Sequence, residues 1–372
     1  MKNKADKIGF LCTSKSYGGL EINTILLAKW LTGRGLNIIL IVLKDSPIYE
    51  KAKDTGIEII CIDEHRKYFA FGKAKKFFAI LRNANVKILQ TSDTKDLNFA
   101  ALVKRFSKDT IKLIHVQHMQ TGIKKKSFLH KFIFSKIDIW ISPLKMLAEQ
   151  TLEKTTITKN QIQIIPHCLN TGKFYKRIEN AREKLNVPKD VFVYGIIGRI
   201  DRQKRQDYAV KAFSKIKNRE QSMLLFVGDA TKNENNNFYN ELLKLSKELE
   251  IEDRIIFRNF MEDVETAYSA IDCFILTTPT ETYGMVTLEA MASRVPVIGS
   301  DSGGTVEILD NGKCGLLYKF LSIEDLAGKM EKMYYDNELR NRLTENAYKR
   351  VIENFDYKIE TDLYVRLYRN LI

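Results

Sequence analysis

Short apolar runs alternate along the chain with longer stretches whose apolar residues recur at helical spacing. Residues 7–13 predict a strand, followed by a loop holding Gly18-Gly19 and a helix over about 20–32. On that helix Ile22, Ile25, Leu26 and Trp30 recur near the 3.6-residue period, and Gly33 and Gly35 end it. Residues 37–43 (NIILIVL) are apolar throughout, as in a strand covered on both faces. Further strands are predicted at 58–62, 86–91, 111–117, 137–142 and 163–166. After a charged segment at 173–189 the alternation restarts, with strands at 191–198, 223–228, 254–257, 273–277, 296–300 and 315–318. Strands separated by helices imply parallel, doubly wound sheets, so two α/β domains facing a cleft are expected, with ligands at the carboxyl ends of the strands.

A length of 372 residues agrees with two cores, and 44% hydrophobic residues with only six prolines exclude a disordered chain or a mini-protein. The five cysteines (12, 61, 168, 273, 314) form no CxxC, which argues against a disulfide framework or zinc knuckle and for a reducing cytosol. Cys12, Cys61 and Cys273 fall on apolar strands and are expected in the core. No apolar run approaches the roughly 18 residues of a membrane span, and the stretch 8–12 is too short for a secretory leader. A cytoplasmic protein is expected.

Charge separates the halves. Residues 1–178 hold 32 basic and 14 acidic residues, net +18, against a net −4 in the remainder. A basic half calls for an anionic partner, such as a lipid surface or a phosphorylated acceptor. Nucleic acid is disfavoured, because no helix-turn-helix, RNP or zinc-finger pattern accompanies the charge. Segments 65–87 and 122–136 interleave lysines with Phe, Leu and Ile. They read either as helices lying on an anionic membrane or as helices packed on the sheet with solvated lysines.

Candidate chemistry concentrates in residues 277–307, TTPTETYGMVTLEAMASRVPVIGSDSGGTVE. Glu281 precedes a helix expected to begin near Tyr283, whose free N–H groups suit a phosphate, and Glu289 lies eight residues further on. Gly303-Gly304 suggests a second place where an anion could meet backbone N–H groups. Spacing alone does not separate this reading from two solvated glutamates and an ordinary turn. The segment resembles the signature of retaining glycosyltransferases of family 4, in which a Glu-x7-Glu pair is followed by EAMA-x-G-x-P and GG-x-x-E. Four other places agree in order: YGGLE at 17–21, IIPHCLN at 164–170, IGRIDRQK at 197–204 and LFVGD at 225–229. The departures are His167-Cys168 for the family's Asn-Gly, Asn170 for its Asp, Thr282-Tyr283 within EGFG, and Arg205 and Arg294 for glycines.

The resemblance implies two Rossmann-like doubly wound domains facing a cleft, the GT-B fold. An acceptor-side domain would span 1–175, with a helix at 357–372 packing back on it, and a nucleotide-sugar-binding domain would span 176–356. It implies a retaining hexosyltransferase acting from a UDP- or GDP-sugar on a glycan or lipid-linked acceptor of lipopolysaccharide or capsule type. Such an enzyme would be cytoplasmic, at most peripheral on the inner face of the membrane. Another GT-B activity, such as a nucleotide-sugar epimerase or a glycogen-type transferase, is the alternative, as is a catalytically silent binding protein.

Charge growing on the departing diphosphate needs a metal or fixed cations. The chain has no Asp-x-Asp and no histidine pair at metal spacing, so no metal cofactor is expected. Arg199 and Lys204 are the natural cations. By resemblance, Glu281 touches sugar hydroxyls and Glu289 the ribose, while Tyr283, Gly284, Met285, Val286, Gly303, Gly304 and Glu307 line the nucleotide-sugar. Gly18 and Gly19 would approach the diphosphate. His118, just after a strand, is the preferred sugar contact over His115, which sits within that strand and should alternate away.

Overall fold

The structure is a computed structural model that describes residues 5–230 and 237–372. It divides into two compact units, one formed by residues up to His167 together with Tyr357–Ile372, the other by Cys168–Asp356.

In the first unit β1 (Lys7–Cys12), β2 (Ile38–Leu43), β3 (Glu58–Ile62), β4 (Val86–Thr91), β5 (Lys112–Val116), β6 (Ile139–Ser142) and β7 (Ile162–Ile164) alternate with α1 (Gly19–Gly33), α2 (Pro47–Ala52), α3 (Phe71–Asn83), α4 (Thr94–Ser107), α5 (Phe128–Ser135) and α6 (Lys145–Lys154). All strands are parallel, in the order β3-β2-β1-β4-β5-β6-β7. Alternate residues feed two cores. Ile8, Phe10 and Cys12 pack toward α1, whereas Leu11, Ile39 and Ile41 pack toward α3 and α4.

The second unit contains α7 (Thr171–Phe174), α8 (Ala181–Lys184), β8 (Phe192–Ile197), α9 (Gln206–Phe213), β9 (Ser222–Val227), α10 (Asn237–Glu248), β10 (Ile255–Arg258), α11 (Val264–Ala270), β11 (Cys273–Leu276), α12 (Met285–Ala292), β12 (Val297–Ser300), α13 (Gly304–Ile308), β13 (Leu316–Tyr318), α14 (Ile323–Tyr335) and α15 (Asn337–Asn354). Its six parallel strands run β10-β9-β8-β11-β12-β13. Both sheets therefore share the strand order 3-2-1-4-5-6 of dinucleotide-binding folds. The last helix, α16 (Tyr357–Leu371), belongs to the first unit, where Trp30 meets Tyr357 at 5.1 Å between ring centroids and Tyr368 Oη donates to Gln90 Oε1 at 2.6 Å.

Several expectations need correction. On α1 the buried face is Ile25, Leu27, Ala28 and Leu31; Ile22 and Leu26 are 40% and 36% exposed, because the helix carries apolar residues all round and the sheet covers only one stripe. Cys61 is exposed, since it lies on β3, the edge strand of the sheet, none of whose residues is fully buried. The first unit ends at His167 rather than 175: Leu169 N–H donates to Phe355 O at 3.0 Å and Thr171 Oγ1 to Asp356 at 2.5 Å, tying the next residues to the second unit. In the basic segments, Ala74, Phe77 and Leu81 of α3 and Ile133 and Phe134 of α5 are buried, so the helices do pack on the unit. Phe69, Phe71, Ile123 and Phe128 remain outside, at 48–89% exposure. Among the described residues, no helix is long and apolar enough to cross a membrane.

Candidate functional site

In each sheet the strand order reverses beside the first strand, and open α/β sheets bind ligands where the loops leaving that point diverge. In the second unit these loops follow β8 and β11. After β8, Gly198 turns at φ +139°, and Asp201 caps a single helical turn by accepting from Gln203 N–H at 2.8 Å. This turn delivers Lys204. After β11, the chain delivers Glu281. Lys204 Nζ donates to Glu281 Oε2 at 2.8 Å, with the two side chains 33% and 14% exposed. Thr277 Oγ1 donates to Lys204 O at 2.7 Å and locks the first loop to the end of β11. Two residues 77 positions apart, separately proposed as cation and sugar ligand, are thus one ion pair at the switch point.

Arg199 lies on the same loop but points outward, its side chain 67% exposed and 3.5 Å from Asp201. Helix α12 begins at Met285, two residues later than expected, because Gly284 at φ +87° makes the turn that precedes it. Tyr283 is buried, and Met285 and Val286 are half-buried in the first turn. At the Gly303-Gly304 turn one of the amides is bonded within the protein. Gly303 sits at φ +63°, where a Cβ would lie 2.4 Å from Glu281 O, and Gly304 N–H donates to that same oxygen at 2.8 Å. The glycines hold the Glu281 loop, and the Gly304 N–H is committed to it. Glu307 is half-buried on the short helix that follows, its carbonyl taken by Arg350 at 2.9 Å.

Glu289 sits on α12 with Tyr268 Oη 2.9 Å from its Oε2. Burial pushes its carboxyl above the ordinary value, opposed by the phenol and by Lys173. Sequence reading missed Tyr268, Lys173 and Thr277; helix α11 carries polar side chains at Glu265, Thr266, Tyr268 and Ser269, so no single position on it stands out. The arginines that replace family glycines both occupy left-handed backbone, Arg205 at φ +51° and Arg294 at φ +55°. Each is anchored by a carboxylate and a tyrosine ring: Asp207 and Tyr208 for Arg205, Glu345 and Tyr348 for Arg294.

The first unit holds the remaining candidates. Gly18 N–H donates to Glu21 at 2.8 Å, closing the start of α1 on itself, while a Cβ on Gly19 would meet no atom within 4 Å. His118 follows β5 and stacks on His167 at 4.5 Å; burial, more than its histidine neighbours, pulls its pKa well below the ordinary value. His115 points into the core, 3.0 Å from Thr91 Oγ1 and against Trp140, with burial pulling its pKa to about 3.

Residues 177–350 match the family model described as Glycosyl transferases group 1. Over 245 residues the chain is 26% identical to N-acetyl-alpha-D-glucosaminyl L-malate synthase of Bacillus anthracis, covering 66% of this chain and 62% of that protein. It is 27% identical to the lipopolysaccharide core biosynthesis glycosyltransferase LpsE of Rhizobium meliloti, over 56% of this chain and 58% of that one. It thus spans about three fifths of the curated relatives it matches. Among solved structures, a glycosyltransferase of Rickettsia africae superposes with a TM-score of 0.87 at 23% identity, covering 99% of both chains. HepE of Anabaena, in complex with UDP, gives 0.86 at 19%, covering 98% of this chain and 100% of that one. The two parallel-sheet, Rossmann-like domains therefore reproduce the fold of GT-B glycosyltransferases, and the second carries the group 1 sequence pattern at the strand ends where Lys204 and Glu281 meet.

Proposed function

We propose that the protein is a retaining, metal-independent glycosyltransferase that moves a hexosyl unit from a UDP- or GDP-sugar onto a cell-surface glycan precursor, lipid-linked or lipopolysaccharide-like. The observation that carries this reading is the Lys204–Glu281 pair at the second unit's switch point, within the stretch matching the family model. An ammonium has three donors, so Lys204 can hold Glu281 and still meet phosphate oxygens. Arg199, with its largely exposed guanidinium, adds a planar fork suited to a diphosphate. These cations stabilise the charge that grows as the bond from the anomeric carbon to phosphate oxygen breaks, the task otherwise given to a metal. Glu281 orients sugar hydroxyls and Glu289 the ribose. His118, kept neutral by burial, contacts the sugar without adding charge. The acceptor oxygen bonds to the anomeric carbon on the face the phosphate leaves, and the departing phosphate takes the acceptor's proton, so the configuration is retained without a covalent glycosyl-enzyme.

A UDP donor is supported by the UDP complex of HepE, and the acceptor class by relatives named for lipopolysaccharide core and capsular polysaccharide synthesis. We assign the first unit to the acceptor. It meets an anionic membrane from the cytoplasmic side through the lysines at 73, 75, 76 and 124–126 and the exposed Phe69, Phe71 and Phe128. The test is a panel of UDP- and GDP-hexoses screened by calorimetry, with mass spectrometry and NMR of products. Turnover insensitive to EDTA and a retained anomer are expected. An inverted linkage, or loss in EDTA restored by magnesium or manganese, would overturn the mechanism; binding of no nucleotide diphosphate would point to a silent protein.

A further inference from the structure

Helix α11 presents Glu265 and Tyr268 one turn apart, and both bear on Glu289 of α12. The Tyr268 phenol, 1% exposed, lies 2.9 Å from Glu289 Oε2 and 3.0 Å from Val286 O. From α7, Lys173 Nζ donates to Glu265 Oε1 at 2.8 Å. Glu265 is only 9% exposed, and its Oε2 is buried without a hydrogen-bond partner. Two carboxylates thus lie near one buried phenol and one half-exposed ammonium. A buried carboxylate without compensation takes up a proton, and a protonated Glu289 would lose acceptor capacity on one oxygen.

We propose that Lys173, Glu265 and Tyr268 are positioning residues for Glu289, holding its carboxylate charged and in one orientation so that it accepts the vicinal hydroxyls of a nucleoside. The inference rests on the reading of Glu289 as the nucleoside's ligand. Tyr268 fixes the rotation of the carboxylate by holding one oxygen. Lys173 neutralises Glu265, whose bare charge would otherwise drive Glu289 toward its protonated form. The groups bearing on Glu289 are, beside burial, Tyr268 and Lys173, which favour the carboxylate, and Glu265, which disfavours it.

The sign of each substitution follows. Removing Lys173 raises the pKa of Glu289, so nucleotide binding is lost at higher pH on the acid side. Removing the charge of Glu265 acts in the opposite direction. UDP and GDP affinities of the full chain, measured by calorimetry as the pH is lowered stepwise from neutrality, test this. Lys173→Met should move the acid limb upward and weaken binding about tenfold near it, roughly 1.4 kcal/mol. Lys173→Arg should restore the wild-type limb and Glu265→Gln should move it downward. Glu289→Gln should bind weakly with no acid limb. An unmoved limb in both Lys173→Met and Glu265→Gln, with Glu289→Gln weakened, would sink this inference alone. Undiminished binding in Glu289→Gln would overturn the nucleoside reading and the inference with it. Should Lys173→Met fail to fold in a thermal scan, the opposite shift in Glu265→Gln still decides.

Discussion

The two sheets have the same strand order and reverse it at the same place, yet the chain treats the two reversal points differently. In the first unit the residues leaving β1 and β4 meet each other. Thr13 Oγ1 donates to Asp96 Oδ1 at 2.5 Å and Thr13 N–H to Oδ2 at 2.8 Å, and His65 Nε2 lies 2.9 Å from Oδ1, with His65 and Asp96 side chains wholly buried. In the second unit the corresponding loops end in Lys204 and Glu281, which water still reaches. One crevice is filled by the chain's own hydrogen bonds; the other is lined with charge. Topology names the place, and side chains decide whether it can take a ligand. Histidines divide in the same way: all five lie in the first unit, as do both tryptophans.

The largest test of this contrast is catalytic. Lys204→Ala and Glu281→Ala should each lower turnover at least ~100-fold with the fold preserved, as for loss of an electrostatic contact to the transition state. Near-normal rates in steady-state assays of both variants would remove the second unit's claim to the chemistry. Acid should then separate the units. His115 binds fewer protons folded than unfolded between the usual value near 6.5 and about 3, so it costs stability as pH falls through that window, and His118 acts in the same direction. Glu289, with its raised value, works the other way. Tryptophan emission, which reports only on Trp30 and Trp140, should therefore change on acidification before the circular dichroism of the rest; a single coincident transition would break the contrast.

A smaller effect concerns charge on the outside. Liposome flotation should depend on anionic lipid and weaken with salt, each lysine at 73, 75, 76 and 124–126 contributing about 1 kcal/mol near the surface. Flotation indifferent to neutralising those lysines would assign the first unit's charge elsewhere. The smallest effect is chemical: a thiol reagent on the native protein should modify Cys61 alone and leave stability unchanged. Cys12, whose burial pushes its pKa up to about 12, and the buried Cys168, Cys273 and Cys314 should react only on unfolding.

Much of the fold was legible because strands in a parallel sheet are covered on both faces and read as unbroken apolar runs, as residues 38–43 show. The facing of α1 was not, because apolar residues on several sides leave no periodic signal to choose between Leu26 and Leu27. Within the site, local spacing drew attention to Glu281, Glu289 and the paired glycines. It could not show that Gly304 N–H is spent on Glu281 O, or that Lys204 meets Glu281, since both depend on which strands lie side by side. Lys173 and Tyr268 act through a third residue, and nothing in their neighbourhoods marks them.

The helix Tyr357–Leu371 sits in the unit whose other residues end at His167. During synthesis, the unit ending at His167 therefore lacks the Tyr368–Gln90 bond and the Trp30–Tyr357 contact until residues 357–368 have followed the whole of Cys168–Asp356. The later-made unit, continuous over Cys168–Asp356, has all its residues first. A nascent chain stalled before residue 357 would expose the apolar stripe of α1 that Tyr364, Val365 and Tyr368 help to cover, and would present it to chaperones or proteases.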